Sequence, residues 1–536
     1  MSLTTLDFVV LAFYAVILFG VALWVSREPK GTVKTTEDYF LAGKSLPWWA
    51  IGASLIAANI SAEQIIGMSG EGYRIGLAIA AYEWQAAIVL IIIAKYFLPI
   101  FLKREIYTMP QFLDQRFGHG VKTTMSIYWI ALYTVVNLTV VLWLGGLAVE
   151  TLTGMSVLPA MAALGAFAIA YSIFGGLKAV ALTDIIQVVI LILGGLIIAW
   201  LTMSMIGGGS VFGGLERMYT ELPDKFDMIF DKETNPTGYD AMPGIWTLLG
   251  GLWILHLNYW GFNQYIIQRA LGAKDLPEAQ KGLVFAAGLK LIMPLIIVLP
   301  GIAAVMLTMP EFGALDAELL NEKTDRTYPS VMGLMPAGLR GLIFAALIAA
   351  IVSSLASMVN SISTIFTMDV YKTNIATGRD EKHYVNVGRT VSVIAMIIAV
   401  LVAKPFIGGF ESGFQTVQDL TGFIAPGVVA VFLLGMFYKR ANSTGAFTAL
   451  IVSFVVSAIL YTLSKMGAIE LSFVNRIWII FLMCLILAIV VSHITKTPEK
   501  ERLVPLSDVN FKTASSFNVW SVIIAIILVV LYVVFW

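Results

Sequence analysis

The sequence contains a single cysteine, Cys484, and only four histidines among its 536 residues. One cysteine excludes a disulfide-stapled scaffold and a zinc site built from several thiolates. Charged residues are also scarce, at 13%, and 34 basic residues are balanced by 34 acidic ones. Nucleic-acid-binding proteins carry a basic excess that this chain lacks, so we expect no nucleic-acid partner.

Hydrophobic residues are abundant instead, at 59% of the chain, against about half in a typical soluble domain. A bilayer core about 30 Å thick requires roughly 20 apolar residues per crossing helix. Fourteen such runs are predicted, at 8–26, 47–68, 77–101, 123–149, 156–174, 179–206, 243–268, 282–308, 342–368, 390–403, 413–438, 444–464, 472–494 and 516–536. The sequence therefore predicts an all-α polytopic membrane protein embedded in a lipid bilayer.

The positive charges in the loops orient these spans. Loops after the odd-numbered spans hold 22 Lys and Arg residues and the opposite side holds ten, while Lys95 and Lys290 lie inside spans. The odd-numbered loops are therefore predicted to be cytoplasmic and both termini extracytoplasmic. The first span follows Asp7 and precedes Arg27 and Lys30, the reverse of a cleaved signal peptide.

Polar side chains inside the predicted spans are functional candidates, because a charge at the middle of a membrane helix costs about 3 kcal/mol. These residues are Asn59, Glu63, Gln64, Glu83, Asn137, Asp184, His256, Asn258, Asn263, Gln264, Lys290, Gln418 and Asp419. Polar residues interrupt span two (GASLIAANISAEQIIGMSG) and span seven (WILHLNYWGFNQYIIQR). Interruptions at corresponding positions of two halves indicate a transport site, although such side chains also bridge neighbouring helices.

Span nine carries a stripe of small polar residues. Ala350, Ser353 and Ser354 stand at i, i+3 and i+4, so one carbonyl and two hydroxyls can converge on one helix face. A hard cation such as Na⁺ prefers several oxygen ligands, and carbonyls freed by the interruption of span two, at Ala57 and Ile60, would add to the set. The alternative is a packing face between helices.

Several stretches together carry a family resemblance. They are TEDYFLAGKSLPWWAIGASLIAANISAEQ, YSIFGGLKAVALTDIIQ, YWGFNQYIIQRALGAKDLPEAQKG, FAALIAAIVSSLASMVNS and FTMDVYK. With them the chain resembles the solute:sodium symporter family, and within it the bacterial sodium/galactose branch. The resemblance runs from the first span to the last. It implies a bacterial cytoplasmic (inner) membrane protein that works by alternating access.

The resemblance also implies a division of the chain around two inverted five-helix repeats with discontinuous helices. The expected parts are a first flanking helix and cytoplasmic linker (1–46), repeat one (47–206), an external loop (207–242), repeat two (243–438, with an external loop at 309–341) and three C-terminal flanking helices (439–536).

Site residues follow from the resemblance one by one. Substrate contacts are expected at Asn59, Gln64, Glu83, Lys290 and Gln418, an inner gate at Tyr259 and Trp260, and an outer gate at Met68, Tyr82 and Phe414. The sodium ligands are Ala57, Ile60, Ala350, Ser353 and Ser354, and Asp184 is expected on the sodium exit route. Alternatives from the residues themselves are a structural ion pair for Glu83 and Lys290 and an interfacial helix cap for Asp184.

Two positions depart from the family pattern. Ala86 stands where the galactose branch has a serine, and His256 stands where it has an asparagine. Either change alters the hydrogen bonds open to a sugar, each typically worth about 1 kcal/mol. We expect His256 to contact the substrate; the alternatives are that it tunes Glu83 or satisfies a neighbouring carbonyl.

The sequence therefore predicts a symporter that imports a hexose such as galactose or glucose with Na⁺, and no organic cofactor. Inositol, a sugar acid or an amino acid is the alternative substrate, and a transport-like sensor is a more distant alternative. An enzyme is not expected, since one histidine within a span and one cysteine in an apolar run supply neither a nucleophile–base set nor a metal cluster.

Overall fold

The computed structural model describes residues 3–25, 42–410, 412–495 and 502–536, without the side chains at 18, 19, 22–25, 42, 171 and 173–182. Arg27, Lys30 and most of the predicted cytoplasmic linker lie outside the described residues, as do the side chains of the FGGLKAVAL motif. Within these ranges the chain is built from helices.

The α-helices are α1 (Thr5–Val25), α2 (Trp48–Asn59), α3 (Met68–Ile75), α4 (Ala81–Ile92), α5 (Leu98–Lys103), α6 (Met109–Phe117), α7 (His119–Ala131), α8 (Leu138–Thr153), α9 (Val157–Ile206), α10 (Val211–Glu221), α11 (Pro236–Ala241), α12 (Ile245–Leu249), α13 (Gly251–His256), α14 (Gln264–Leu271), α15 (Leu276–Leu307), α16 (Ala317–Glu322), α17 (Thr327–Gly333), α18 (Leu339–Ile365), α19 (Glu381–Ile407), α20 (Gly413–Thr421), α21 (Ala425–Phe437), α22 (Ser443–Lys465), α23 (Phe473–Ile494) and α24 (Ser515–Val534).

Shorter turns connect several of them. Wider π-helical turns lie at Glu63–Gly67, Ile93–Phe97, Leu132–Asn137, Leu257–Phe262 and Phe366–Ile375. Tighter 3₁₀ turns lie at Ala42–Lys44, Gly76–Ala80, Pro223–Lys225, Thr324–Arg326 and Leu506–Asp508.

Among the described residues, nine helical stretches are long and apolar enough to cross a bilayer. A tenth is present if α20 and α21, which meet at 46°, form one bent span. An all-helical polytopic membrane protein is thus confirmed, with a lower count than the fourteen predicted runs. Part of the difference in count arises because predicted spans two and seven are divided into short helices. In addition, predicted spans five and six lie within the single helical run α9.

The interrupted helix α2 lies at the centre of the packing. α15 runs along α2, α3 and α4, while α9 runs along α18 and α2. The C-terminal helix α24 packs on α15 and exposes apolar side chains such as Trp520, Val529 and Val533 on its other side. That outer surface suits hydrocarbon, whereas α2 is covered by protein.

A short parallel bridge joins the start of the first interrupted region to the end of the second. The Leu46 amide donates to the Gly272 carbonyl at 3.1 Å, and the Lys274 amide donates to the Leu46 carbonyl at 3.2 Å. Leu46 precedes α2 and Gly272 follows α14. Backbone hydrogen bonds therefore hold the segment before α2 to the segment after α14.

Candidate functional site

The first interruption lies where the sequence places small and polar residues. α2 ends at Asn59, Ile60 leaves the helical region at φ −74° and ψ 70°, and helix resumes at Glu63. The Ser61 amide donates to the Asn59 carbonyl at 2.7 Å, which tightens the bend. Because the break lies deep in protein, it is shielded from lipid, the condition under which broken backbone is tolerated at membrane depth.

The second interruption lies between α13 and α14. A π-helical turn ends at Phe262, and Asn263 is extended, at φ −79° and ψ 120°. The Tyr133 hydroxyl donates to Asn263 Oδ1 at 2.8 Å and accepts from the Gln264 amide at 2.9 Å. One buried tyrosine thereby satisfies polar groups on both sides of the break.

A buried charge pair lies against these interruptions. Lys290 Nζ, on α15, donates to Glu83 Oε2 on α4 at 2.7 Å and also to Asn59 Oδ1 at the end of α2. It lies 4.9 Å from the centre of the Trp260 ring, and Asn59 Nδ2 donates to the Tyr259 hydroxyl at 3.2 Å. Five residues predicted for substrate binding and the inner gate thus form one connected cluster.

Aromatic rings cover a second side of this region. The Tyr82 ring meets the Phe414 ring edge-to-face at 5.0 Å and the His256 ring at 6.1 Å. Gly67 permits the approach of α20, because a Cβ there would lie 2.6 Å from the Phe414 Cβ. Met68, the next residue, is fully buried. The structure therefore brings Tyr82 and Phe414 of the predicted outer gate together, beside His256.

The other polar side chains around this region have fewer hydrogen bonds to the protein. Gln64 is buried, and its Oε1 atom has no hydrogen-bond partner among the described residues. The same holds for His256 Nε2 and the Tyr82 hydroxyl. Gln418 is partly exposed and stands one helical turn after Phe414. These unpaired polar atoms are free to bond a ligand with several hydroxyls.

The predicted sodium ligands lie between α2 and α18. The Ser354 hydroxyl donates to the Ala58 carbonyl at 3.2 Å, and the Ser353 hydroxyl donates to Asp184 Oδ1. The other three predicted ligands are fully buried in the same packing of α2 and α18: Ala57, Ile60 and Ala350. The Ser354 hydroxyl is thus paired with the carbonyl of Ala58, which lies between the predicted ligands Ala57 and Ile60, while the Ser353 hydroxyl is paired with Asp184.

Asp184 joins this cluster, and its partners differ from those expected of a helix cap. Its Oδ2 atom accepts from the Ser54 hydroxyl at 2.6 Å and lies 3.5 Å from Arg269 Nη2. Arg269 also donates to the Ser54 hydroxyl at 2.7 Å and to the Ser357 hydroxyl at 2.6 Å. Since Asp184 lies inside the run α9 and bonds three other helices, the helix-cap alternative is wrong.

Arg269 is a functional candidate that the sequence did not predict. It lies one residue beyond the predicted end of span seven, among the 22 basic residues of the loops predicted to be cytoplasmic, yet only 1% of it is exposed. The signal lay in the stretch QYIIQRAL, which contains no turn residue before Gly272. Helix α14 therefore continues through Arg269 and carries its guanidinium into the protein.

A buried carboxylate also contacts α20, the helix that carries Phe414 of the predicted outer gate. Asp325, in the region between α16 and α17, accepts from the Gly413 amide at the start of α20 at 3.0 Å. Its other oxygen, Oδ1, has no hydrogen-bond partner among the described residues. Burial raises the pKa of Asp325 to about 7, so this carboxyl is still partly protonated near neutral pH.

Comparison with known proteins assigns this architecture. A family model described as the sodium:solute symporter family matches residues 39–453. The chain is 50% identical to the sodium/glucose cotransporter of Vibrio parahaemolyticus, over 100% of this chain and 99% of that protein. It is 34% identical to sodium/glucose cotransporter 1 of Ovis aries, over 84% and 70% of the two chains. It is 33% identical to sodium/myo-inositol cotransporter 2 of Oryctolagus cuniculus, over 85% and 70%.

Solved structures share the fold. A Na⁺-coupled sialic acid symporter in a substrate-bound outward-open state matches with a TM-score of 0.80 and 22% identity, over 93% of this chain and 99% of that one. A nucleobase-cation-symport-1 family transporter matches with a TM-score of 0.51 and 14% identity, over 87% and 96%. Taken with the family match and the 50% identity over the full chain, these findings lead to one conclusion: the chain belongs to the sodium:solute symporter family.

Proposed function

We propose that the chain is a sodium-coupled symporter that imports a sugar, a hexose such as glucose or galactose, by alternating access. The observation that carries the proposal is the cluster of Lys290, Glu83 and Asn59 against Tyr259 and Trp260. An ammonium, a carboxylate and an amide beside aromatic rings suit a neutral polyol, because they donate to and accept from neighbouring hydroxyls. The names of the relatives at 50% and 34% identity support the same substrate class. The chain is a transporter rather than an enzyme.

In this proposal each predicted residue keeps its role. The substrate contacts are Asn59, Gln64, Glu83, His256, Lys290 and Gln418. The gates are Met68, Tyr82, Phe414, Tyr259 and Trp260. The sodium ligands are Ala57, Ile60, Ala350, Ser353 and Ser354, and Asp184 lies on the exit route. Arg269 is added as the residue that positions the Asp184 carboxylate.

The proposed topology has fourteen crossings in a bacterial cytoplasmic membrane, with both termini extracytoplasmic. Two inverted repeats, at 47–206 and 243–438, place the interrupted regions around α2 and α14 at corresponding positions. The excess of Lys and Arg in the odd-numbered loops supports this orientation.

Sodium is sufficient as the driving ion. One charge moving through ~100 mV releases about 2.3 kcal/mol, and a tenfold gradient adds roughly 1.4 kcal/mol. Together they support roughly 500-fold accumulation per ion in the ideal limit. The ion would act by stabilising the interrupted end of α2 against α18, since a ligand shifts a conformational balance only by its differential affinity.

A second substrate, myo-inositol, is favoured by the 33% identity to a sodium/myo-inositol cotransporter. A net anion is less suited to the site, because Glu83 already pairs with Lys290 at 2.7 Å.

Uptake into proteoliposomes tests the proposal. Labelled glucose, galactose, mannose, xylose, myo-inositol and sialic acid are offered with an inward Na⁺ gradient and with an equal K⁺ gradient. Sodium-dependent accumulation of a hexose is expected. Accumulation of myo-inositol alone would select the second substrate, and sodium-independent or absent uptake by folded protein would refute sodium-coupled sugar transport.

A further inference from the structure

A basic cavity of about 450 Å³ lies away from the transport site, at the end of the molecule that the loop charges predict to be cytoplasmic. Four of its lining residues are cations and one is an acid. The lining residues are Lys103, Arg104, Glu105, Phe112, Gln115, Arg116, Arg502 and Val504. The cations come from three separate parts of the chain, which only the fold brings together.

Arg116 forms the buried wall of this cavity, and one of its guanidinium nitrogens has no partner among the described residues. Only 1% of Arg116 is exposed. Its Nε atom donates to the Gly435 carbonyl at 2.9 Å, and Nη2 donates to the Ala441 carbonyl at 2.7 Å and the Tyr438 carbonyl at 3.1 Å. Its Nη1 atom has no hydrogen-bond partner among the described residues. Burial lowers the pKa of Arg116 only to about 10, so the side chain is charged at neutral pH.

The other cations lie on the more accessible walls. Arg104 Nη2 donates to the Leu503 carbonyl at 3.5 Å, which brings the segment after residue 501 against the end of α5. The Arg502 guanidinium packs against Gly118, two residues after Arg116. Lys103 is exposed and ends the long apolar stretch Glu63–Lys103. The cavity therefore lies where a membrane-crossing segment ends, at the depth of lipid headgroups.

Three of the four cations that line the cavity have no carboxylate partner among the described residues. In the part of the chain that the structure describes, Lys103, Arg104 and Arg116 take part in no ion pair. Glu105 is the one carboxylate among the lining residues, and it is exposed. Converging guanidinium groups match the geometry and charge of a phosphate group, which accepts several charge-assisted hydrogen bonds.

We propose that this cavity binds a phosphate group, carried by an anionic phospholipid headgroup or by a free phosphate ion. Arg116 and Arg502 contact the phosphate, and Lys103 and Arg104 neutralise its remaining charge. Since Arg116 already holds the carbonyls that follow α21, a bound phosphate links the segment around residue 502 to the junction between α21 and α22. The bound state is therefore more resistant to unfolding.

The test uses the full-length protein purified in detergent, with the midpoint of thermal unfolding as the readout. It is titrated with short-chain phosphatidylglycerol, short-chain phosphatidylcholine, sodium phosphate, or sodium chloride at matched ionic strength. The variants are Arg502→Gln and Arg104→Gln, and the control is Lys382→Gln, an exposed cation outside the cavity.

Saturable stabilisation by phosphatidylglycerol but not phosphatidylcholine is expected, with half-saturation at about tenfold higher lipid in each cavity variant and unchanged in the control. Stabilisation by phosphatidylglycerol alone identifies the headgroup as the source, and stabilisation by sodium phosphate beyond sodium chloride identifies a free phosphate site. The proposal is overturned if neither ligand stabilises the protein, or if both cavity variants respond like the control. Two separate cavity variants keep the test decisive if one of them fails to fold.

Discussion

The pair of Glu83 and Lys290 gives the sharpest test of whether the central cluster is a binding site or a structural ion pair. Both side chains are almost fully buried, with 2% and 1% of their side-chain surface exposed. Removing one partner leaves the other charge buried without compensation, which costs about 3–5 kcal/mol. Replacing both charges with neutral side chains of similar volume is often close to neutral for stability. We therefore expect Glu83→Gln and Lys290→Met each to lose about 3–5 kcal/mol of unfolding free energy, and the double variant to recover most of that loss.

Transport should follow a different pattern. Each charge-assisted hydrogen bond to a sugar hydroxyl contributes about 1.5–3 kcal/mol, so its loss weakens binding by roughly 10- to 150-fold. The double variant lacks both groups. It should therefore be nearly as stable as the unmodified protein and yet fail to bind or accumulate sugar.

Stability would be measured by denaturant unfolding in mixed micelles, and substrate binding by equilibrium binding of labelled sugar in saturating sodium. Glu470→Gln is the matched control, because it breaks an ion pair with Lys232 in which both side chains are exposed, and such pairs contribute at most about 1 kcal/mol. Single variants as stable as the control would refute the buried-charge reasoning. A double variant that transports sugar normally would show that the pair is structural only.

Three further predictions follow from the same geometry. Ser354→Ala should raise the half-saturating sodium concentration for uptake by about fivefold or more, through the loss of one oxygen ligand, while Ser363→Ala on the same helix should leave it unchanged. Asp325→Asn should raise the thermal midpoint at pH 8 but not at pH 4. The pKa of this carboxyl is raised from 3.8 to about 7, so the stability it contributes in acid, on the order of 4 kcal/mol, is lost as the pH rises between these two values. Equal shifts of the midpoint at both pH values would contradict this reasoning. His256→Asn combined with Ala86→Ser should change the ratio of half-saturating glucose to galactose by about fivefold per hydrogen bond altered, and an unchanged ratio would remove both residues from the substrate site.

The class of protein and the first interruption could be predicted from the sequence because both depend on local composition. Long apolar runs predict membrane helices whatever their packing. Likewise, the residues Asn59 to Ser61 weaken the helix locally, since Asn and Ser side chains compete for backbone hydrogen bonds. In the structure α2 ends at Asn59, within the segment whose residues least favour a continued helix.

The number of spans and the partner of Asp184 could not be predicted in the same way, because both depend on contacts between distant segments. Hydropathy does not reveal that Val157–Ile206 is one helical run. Nor does it show that Arg269, beyond the predicted end of its span, is buried against Asp184 and Ser54. A cation next to an apolar run looks the same in sequence whether it faces water or a buried carboxylate 85 residues away.

Helix α2 provides the physical connection between the proposed sodium and sugar sites. Ser54 bonds the Asp184 carboxylate at 2.6 Å, the Ala58 carbonyl accepts from α18, and Asn59 contacts Lys290, all within the last two turns of this helix. A sodium ion that orders the end of α2 therefore also fixes the position of the Asn59 amide for the sugar. Such coupling is reciprocal, because the factor by which sodium raises sugar affinity must equal the factor by which sugar raises sodium affinity. Replacing Asn59 should then reduce this shared coupling factor, whereas replacing a residue that served the sugar alone should weaken sugar binding and leave the factor unchanged.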